Sequence, residues 1–481
     1  MAKAVEWVKI KIKSLELTWS DFFLALGFVC FVPFAALSWL FMVTWDPTEI
    51  AFKPWMMITC FSISAISWGF YFYIEIKKGN IKNNFFTWAF VFFLIFSMVS
   101  VLVQPAHSSI DVEVKRATPL TWSFYGEGIK EGDIVNVKLE IPGPHKLFFC
   151  FASMLITTFV YIALMVFPKR LKSLKFLIFV GICIFGFLLI LATYSYITEA
   201  EKYPRFIKLF FAGDFETIQN SNSIYSFIAH RVPYGACMML GFIYVLVMHS
   251  ITKNNYLFIA SVFFYINMIF SYCKTALSLS LLIYLLYFIF LLVVGYKDYK
   301  KRNLTILICI GSFLLIGLVI VSISLLTKGA FLPLIYKVFV SLTNSETLNT
   351  RRYIWGNINL LLKDGWWIIG RGFGTYNHIL YPMNILNGDN VCPSHSSYYA
   401  VLGAGGIFNL LGFLGLYIYF GYVFYKCFKV DKILTIKLSF GFLVFLLYSF
   451  TEGVNYLIVF FTIPLLFYYS LIKNGYVSKE E

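Results

Sequence analysis

The sequence predicts an all-α polytopic membrane protein, and three observations lead to that fold class. Hydrophobic residues make up 60% of the 481 residues and charged residues only 13%, whereas a soluble domain carries about 25% charged residues. The mean hydropathy is correspondingly high, at +0.78. The apolar residues also fall into long continuous stretches, each able to cross about 30 Å of hydrocarbon as a helix.

About twelve such stretches are long enough to be transmembrane helices. Only Lys274 separates the seventh from the eighth, so a re-entrant or broken helix is the alternative for that pair. The predicted spans cover residues 22–43, 54–76, 85–103, 147–167, 174–196, 232–251, 255–273, 275–296, 304–326, 399–425, 433–450 and 455–472.

These spans divide the chain into three parts. Residues 1–326 are predicted to form an N-terminal bundle of helices 1–9, residues 327–398 a long, partly helical outer loop between helices 9 and 10, and residues 399–481 the last three helices. The bundle carries two further outer loops, 104–146 and 198–231. Alternating apolar and polar residues predict a small β-hairpin in the first loop, and the second loop is amphipathic and aromatic.

The distribution of lysine and arginine predicts that both termini are cytoplasmic. With that orientation the inner segments carry 22 basic and 8 acidic residues, and the outer segments carry 17 and 16. An excess of cations on the inside is the usual pattern for membrane proteins. The net charge of +15 does not indicate nucleic-acid binding, because the basic residues lie in short runs between apolar stretches rather than on one face of a domain.

Polar residues and glycines concentrate between residues 351 and 406, and we expect the chemistry there. Arg351 and Trp355 are four residues apart, in a segment that reads as a helix. Capping residues predict that this helix begins near Thr350, which places Arg351 in its first turn. A guanidinium there suits phosphate oxygens bidentately, and snorkelling to lipid headgroups is the alternative interpretation.

Two further cations lie at the outer ends of predicted spans. Lys274 is a single charge between two apolar stretches, and such a charge usually faces a polar cavity on a substrate path. The alternative is an ordinary turn lysine in water. Arg231 lies at the outer mouth of the sixth span, where a snorkelling anchor explains it equally well. We expect both residues to contribute to binding a diphosphate.

His395 lies among serines and a tyrosine, just before the tenth span. A histidine side chain can accept a proton at neutral pH, so His395 is the candidate general base. Trp355, Tyr398 and Tyr399 are candidate contacts for sugar faces, with an interfacial aromatic belt as the alternative. The glycines of the 370–374 run permit close approach of the backbone to a ligand.

The acidic residues Asp364, Asp389 and Glu452 are dispersed along the sequence and do not form a cluster of the kind that binds Mg²⁺. We therefore expect neither a metal nor a cofactor. Cations for a diphosphate, a histidine for proton transfer and aromatic rings for sugars together predict a metal-free reaction in which a diphosphate leaves.

The order of these motifs resembles the O-antigen ligase and O-antigen polymerase superfamily, which are integral-membrane glycosyltransferases of the GT-C type. The matching features are R-x-x-x-W at 351–355, G-x-G-x-G at 370–374, and a histidine and tyrosine before a small-residue turn at 403–406. All lie in the long outer loop between the ninth and tenth spans or at its end. The topology match covers nearly the whole chain, and the motif match covers residues 351–406 and 271–278.

The resemblance implies transfer of a glycan from undecaprenyl diphosphate at the periplasmic face of the bacterial inner membrane. His395 would activate the acceptor hydroxyl, Arg351 would hold the diphosphate, and Lys274 falls where the family has a second arginine. We expect these three residues to face a common aqueous pocket. Lysine keeps the charge but loses the bidentate fork. Two more departures are Ser396 in place of an asparagine and Ala404 in place of an acid.

Two acceptors fit the resemblance. The ligase branch uses lipid A–core, which the retention of His395 favours. The polymerase branch uses another lipid-linked repeat unit, which the extra loop 104–146 and the departures favour. A function of another class is a lipid-linked oligosaccharide flippase, which twelve spans fit equally well. A flippase would line a central cavity with cations and have two similar halves, whereas this sequence has no matched halves and its cations cluster on one side.

Overall fold

A computed structural model of the chain confirms the predominantly helical class. About 79% of the structure is helical and there is almost no sheet. The described residues are 18–43, 53–81, 85–105, 107–141, 143–162, 166, 174–226, 231–252, 254–294, 346–386, 394–451, 461–473 and 475, with shorter stretches between 311 and 340.

The secondary structure consists of helices and one pair of strands in these residues. The strands are β1 (His107–Glu113) and β2 (Ile134–Glu140). The helices are α1 (Trp19–Val43), α2 (Lys53–Lys77), α3 (Phe85–Leu102), α4 (Pro119–Tyr125), α5 (Gly143–Tyr161), α6 (Leu174–Thr198), α7 (Lys202–Ala212), α8 (Phe215–Thr217, continued by a π-helical turn at Ile218–Asn222), α9 (Arg231–Thr252), α10 (Asn255–Ser271), α11 (Lys274–Val294), α12 (Glu346–Leu361), α13 (Trp366–Ile369), α14 (Thr375–Ile385), α15 (Ser397–Phe428), α16 (Lys432–Leu438), α17 (Phe440–Thr451) and α18 (Ile463–Lys473).

Four helical segments of the described chain are long and apolar enough to cross a membrane. They are Gly143–Tyr161, Arg231–His249, Ser397–Phe428 and Lys432–Phe450. A fifth span results if α6 and α7, which meet at 86°, count as one. The chain therefore has the character of a membrane protein, but the prediction of about twelve spans is not confirmed. Several predicted spans form helices of only 10–17 described residues, such as Asn255–Ser271, and others extend beyond the described residues.

The chain folds into two compact units. The first comprises Met1–Phe187, Leu348–Val430 and Ser449–Glu481, and the second comprises Leu188–Thr347 and Asp431–Tyr448.

Aromatic side chains hold the first helices of the first unit together. The helix α1 packs along α2, and α3 packs against α5. Phe31 of α1 stacks on Phe159 of α5 with ring centroids 4.1 Å apart, and Trp68 of α2 packs beside both rings. All three side chains are buried. Within a bilayer such contacts stabilise through close packing rather than through removal from water.

The expected β-hairpin is present in the loop 104–146. The strands β1 and β2 pair antiparallel along their full lengths, and the alternation of side chains gives the hairpin two different faces. Val112 and Val137 are buried on one face. Asp111 and Asn136 lie on the other, where the Asn136 amide donates a 2.7 Å hydrogen bond to the Asp111 carboxylate. The hairpin therefore has an apolar face that must be covered.

The helices α12 and α14 cover that face. The hairpin and these helices together form what we call the hairpin module (residues 107–141 and 346–386). Side-chain hydrogen bonds are among those that fasten it: Thr121 Oγ1 donates to the Ile385 carbonyl at 2.8 Å, and the Tyr125 hydroxyl donates to the Pro382 carbonyl at 2.8 Å. Two loops far apart in sequence thus share one core. The buried residues of this core are Val112, Val114, Val137, Ile141, Ile354, Ile358, Leu361, Leu362, Tyr376, Ile379, Leu380, Met383, Leu386 and Ala400.

The second unit is built around α9, which packs against α10 and α11. A buried polar network joins its helices: the Tyr234 hydroxyl donates to Asn267 Oδ1 at 3.0 Å and lies 3.3 Å from Ser195 Oγ, which is 3.0 Å from the Tyr203 hydroxyl. Polar side chains that pair with one another are tolerated between apolar helices, and here they link α6, α7, α9 and α10.

Candidate functional site

The R-x-x-x-W motif lies on α12 in the first unit. The helix begins at Glu346, so the expectation that it begins near Thr350 and holds Arg351 in its first turn is wrong. Arg351 is half-buried, whereas its neighbour Arg352 is exposed. Arg351 and Trp355 are separated by one helical turn and therefore lie on the same face of α12.

Trp355 connects α12 to the segment that carries His395. The indole Nε1–H of Trp355 donates a 2.8 Å hydrogen bond to the carbonyl of Ser394. The same indole stacks on Tyr399, with ring centroids 5.1 Å apart and planes 7° from parallel. One side chain of the R-x-x-x-W motif therefore holds the residues on both sides of His395. The structure brings together two motifs that lie about forty positions apart in the sequence.

His395 occupies a tight turn immediately before α15. Its backbone φ is +48°, a left-handed conformation in which histidine is found more often than most residues. Ser394 Oγ donates a 2.7 Å hydrogen bond to the Ser396 carbonyl across this turn, and both serines are buried. The imidazole, by contrast, is only half-buried. The turn is thus anchored by its neighbours while the histidine side chain remains partly accessible.

The two tyrosines after His395 lie in different surroundings. Tyr399 stacks on Trp355, as described above. Tyr398 instead packs among the rings of apolar helices, 4.8 Å from Phe450 and 6.0 Å from Tyr417. Both tyrosines are half-buried. The Trp355–Tyr399 pair therefore lies beside the histidine turn, and the role of all three aromatic residues as glycan contacts stays a prediction.

The glycines of the Gly370–Gly374 run lie in close contact with other parts of the protein. A β-carbon added to Gly370 would lie 2.5 Å from the Gly406 nitrogen, and one added to Gly406 would lie 2.2 Å from the Ile368 carbonyl oxygen. Both residues have positive φ angles, which glycine adopts without strain. Gly370 thus admits the kinked backbone of α15, whereas Gly372 lies against the backbone of Val101 and Gly374 against the Phe149 ring. The predicted approach of these glycines to a ligand stays a prediction.

That kink breaks the longest helix in the described chain. Gly405 and Gly406 depart from helical geometry within α15, which leaves carbonyl groups of the preceding turn without helical partners. The backbone N–H of Arg371 donates to the Gly403 carbonyl at 2.7 Å, and that of Gly372 donates to the Ala404 carbonyl at 2.8 Å. The loop after α13 therefore supplies the hydrogen bonds that the broken helix lacks.

Arg371 is a residue whose side chain the sequence did not single out. Its guanidinium Nε–H donates to the Leu361 carbonyl at 2.8 Å, at the end of α12, and its guanidinium lies 4.0 Å from the centre of the Trp366 ring. Burial lowers the pKa of the Arg371 guanidinium to about 10, an effect that the nearby Asp364 carboxylate opposes. Arg371 therefore ties α12, which carries Arg351 and Trp355, to the kink of α15.

The second unit brings its own two predicted cations together. Lys274 is the first residue of α11 and Arg231 the first residue of α9, and both are half-buried. Burial lowers the pKa of the Lys274 ammonium, and the positive charge of Arg231 lowers it further. Like charges in a partly desolvated setting favour a bound anion. Because this pair belongs to the second unit and Arg351 and His395 to the first, their common pocket stays a prediction.

Comparisons with known proteins do not assign this chain to a family. No protein-family model, no curated protein and no solved structure matches it. The support for a function therefore comes from the geometry of the described residues.

Proposed function

We propose that this protein is a membrane glycosyltransferase that moves a glycan from a polyprenyl diphosphate, such as undecaprenyl diphosphate, to an acceptor hydroxyl. The observation that carries the proposal is the hydrogen bond from Trp355 to the Ser394 carbonyl. It joins a helix that presents an arginine to a turn that presents a histidine. A cation for a leaving phosphate and a base for an incoming hydroxyl are the two groups that such a transfer requires.

In this mechanism His395 accepts the proton of the acceptor hydroxyl as the oxygen attacks the anomeric carbon of the donor sugar. The bond between that carbon and the diphosphate oxygen breaks, and the diphosphate leaves with the bonding electron pair. Arg351 stabilises the negative charge that develops on the leaving group, because a guanidinium donates two parallel hydrogen bonds to phosphate oxygens. The half-buried position of Arg351 strengthens this interaction relative to one in bulk water.

The Arg231–Lys274 pair gives the second unit a separate feature suited to phosphate oxygens. The positive charge of Arg231 lowers the pKa of the Lys274 ammonium, and an anion carrying more than one negative charge relieves that repulsion. A diphosphate is such an anion. We propose that the pair contributes to binding a diphosphate.

The acceptor distinguishes two versions of the proposal. In the first, the protein is a ligase that places the glycan on lipid A–core at the periplasmic face of the bacterial inner membrane. In the second, it is a polymerase that joins lipid-linked repeat units. The hairpin module favours the second version, because Trp355 joins it to the His395 turn and extra structure at that place suits an enzyme that holds a growing chain. Deletion separates them: a ligase mutant accumulates unsubstituted core, and a polymerase mutant accumulates core that carries a single repeat.

The test of the proposal is an assay with purified protein in vesicles that contain a polyprenyl-diphosphate-linked glycan and an acceptor. We expect a glycosylated acceptor and one free polyprenyl diphosphate for each glycan transferred. His395→Ala and Arg351→Ala should each abolish transfer, because they remove the base and the phosphate-binding cation. His395→Asn is a useful companion, because asparagine tolerates the left-handed backbone of residue 395 but is a poor base.

Arg352→Ala is the matched control, since Arg352 is the neighbouring, exposed arginine of the same helix. It should retain transfer close to that of the unaltered protein. Full activity of the His395 or the Arg351 variant would remove that residue from the mechanism. Movement of the lipid-linked glycan across the membrane without bond formation would instead support a flippase.

A further inference from the structure

The helix α7 meets the end of α6 at an angle of 86°. The helix α6 has 25 residues and is strongly apolar, which is the length needed to cross the hydrocarbon of a bilayer. A helix nearly perpendicular to a membrane-crossing helix runs parallel to the membrane plane. With α6 taken as a span of its own rather than as half of a bent pair, the angle of 86° places α7 along the membrane surface, at the end of α6 that bears Thr198.

One face of α7 packs against other parts of the second unit. Phe206 is buried and packs 5.1 Å from Phe270, and its neighbours in the same cluster are Phe215 and Tyr272. Phe215 in turn stacks on Tyr272 with ring centroids 5.9 Å apart and planes 6° from parallel. This packing fixes the rotation of α7 about its own axis and so determines which residues face outward.

The exposed half of α7 divides into an apolar flank and a basic flank. With about 100° of rotation per residue, Ile207 and Phe211 lie about 100° and 140° from Phe206 in one direction. Arg205 and Lys208 lie about 100° and 160° from Phe206 in the other direction. Ile207 is 47% exposed and Phe211 is 71% exposed, which is a large apolar surface for a helix of 11 residues.

Lys202, the third basic residue of the helix, does not belong to the basic flank. Lys202 forms an ion pair with Glu199 at 2.8 Å, and its ammonium lies 4.2 Å from the centre of the Tyr225 ring. The basic flank therefore consists of Arg205 and Lys208, both exposed. An apolar flank beside a basic flank, on a helix parallel to the membrane, matches the boundary between acyl chains and phosphate headgroups.

We propose that α7 is a membrane-surface helix whose Ile207 and Phe211 side chains enter the acyl chains of the bilayer, while Arg205 and Lys208 contact the phosphate groups of its lipids. Through Phe206 and Tyr272, the helix would also anchor in lipid the segment that leads to Lys274. This role is independent of glycosyl transfer and would hold equally for a transporter.

The experiment places the photoreactive residue p-benzoylphenylalanine at Phe211, or in a second variant at Ile207, in the full-length protein. The protein is reconstituted in vesicles of phosphatidylethanolamine and phosphatidylglycerol and irradiated, and lipid adducts are counted by mass spectrometry. The matched control carries the same residue at Ile134 in the hairpin, which is 74% exposed. We expect about tenfold more lipid adducts at Phe211 and Ile207 than at Ile134.

Adduct yields at both positions no higher than at Ile134 would overturn the proposal. The headgroup contact is tested in the Phe211 variant by adding Arg205→Gln and Lys208→Gln together. The fraction of phosphatidylglycerol among the adducts should then fall to its fraction in the vesicle, because the attraction to anionic lipid is lost. An unchanged fraction would overturn the contact with phosphate, and Arg352→Gln should leave that fraction as it was.

Discussion

The hairpin module of the first unit and the α7 segment of the second unit are built on different principles. The module has a mainly aliphatic core contributed by strands and helices from two distant loops, and hydrogen bonds such as that from Thr121 to the Ile385 carbonyl close it. The α7 segment has one small aromatic cluster around Phe206 and leaves Ile207 and Phe211 exposed. A module with its own core can hold side chains in fixed positions for chemistry, whereas a single amphipathic helix needs the membrane as its second layer.

The largest expected effect is at the contact between the loop after α13 and the kink of α15. Gly406 has a φ of +63° and a ψ of −160°, and an added β-carbon would lie 2.2 Å from the Ile368 carbonyl oxygen. Gly406→Ala should therefore lower the free energy of unfolding by about 4 kcal/mol or more. Thermal unfolding of the detergent-purified protein measures this.

Gly415→Ala is the control for that substitution. Gly415 lies in the same helix, and nothing lies within 4 Å of its added β-carbon. Its melting temperature should match or slightly exceed that of the unaltered protein, because alanine is the better helix former. Equal melting temperatures for Gly406→Ala and Gly415→Ala would show that the kink does not depend on glycine.

The next largest effects are expected from core substitutions that destabilise either the hairpin module or the α7 segment, but not both. Ile358 is fully buried in the core of the hairpin module, so Ile358→Ala should cost about 3 kcal/mol of stability there. Hydrogen exchange should accelerate at the amides of β2 and α12 and remain unchanged in α7. Phe206→Ala should accelerate exchange at the amides of α7 and leave exchange in β2 and α12 unchanged. Acceleration throughout both regions in either variant would contradict two separately stabilised structures.

A smaller effect is expected in the pH dependence of the second unit. The pKa of Lys274 is lowered by burial and by Arg231, so its ammonium loses the proton at a lower pH than an ordinary lysine. Binding of a phosphate anion therefore weakens as the pH rises through that lowered pKa. Lys274→Arg keeps the charge at every accessible pH and should move the alkaline loss of transfer activity upward. If transfer activity is lost over the same alkaline pH range in Lys274→Arg and in the unaltered protein, Lys274 does not bind the anion.

The sequence predicted those features that depend on short-range patterns. The hairpin was predictable because Val112, Val135 and Val137 alternate with polar residues, and alternation is the signature of a strand with one buried face. The helix of the R-x-x-x-W motif was predicted too, but its start was placed at Thr350 rather than at Glu346. Residues such as Asn349 and Thr350 can cap a helix but also occur inside one, so they are a weak guide to where a helix begins.

Long-range packing was not predictable in the same way. Nothing local in the loop 104–146 indicates that its hairpin shares a core with α12 and α14. The sequence showed a small-residue turn at 403–406, but the predicted span 399–425 runs through it. The backbone donors of Arg371 and Gly372, which bond to the carbonyl groups before the break, come from a distant part of the sequence. For the site, the sequence identified Trp355 and His395 separately, and their connection through Ser394 appears only in three dimensions.

Trp355→Phe tests the central claim, that Trp355 holds the His395 turn in place for glycosyl transfer. Phenylalanine keeps a ring to stack on Tyr399 but cannot donate the hydrogen bond to the Ser394 carbonyl. The account predicts that the rate of transfer at saturating donor falls about tenfold, equivalent to about 1.4 kcal/mol, while the melting temperature changes little. Trp367→Phe, at a half-exposed tryptophan of α13, should leave the rate unchanged. A Trp355→Phe protein that transfers glycan at the full rate would contradict the claim.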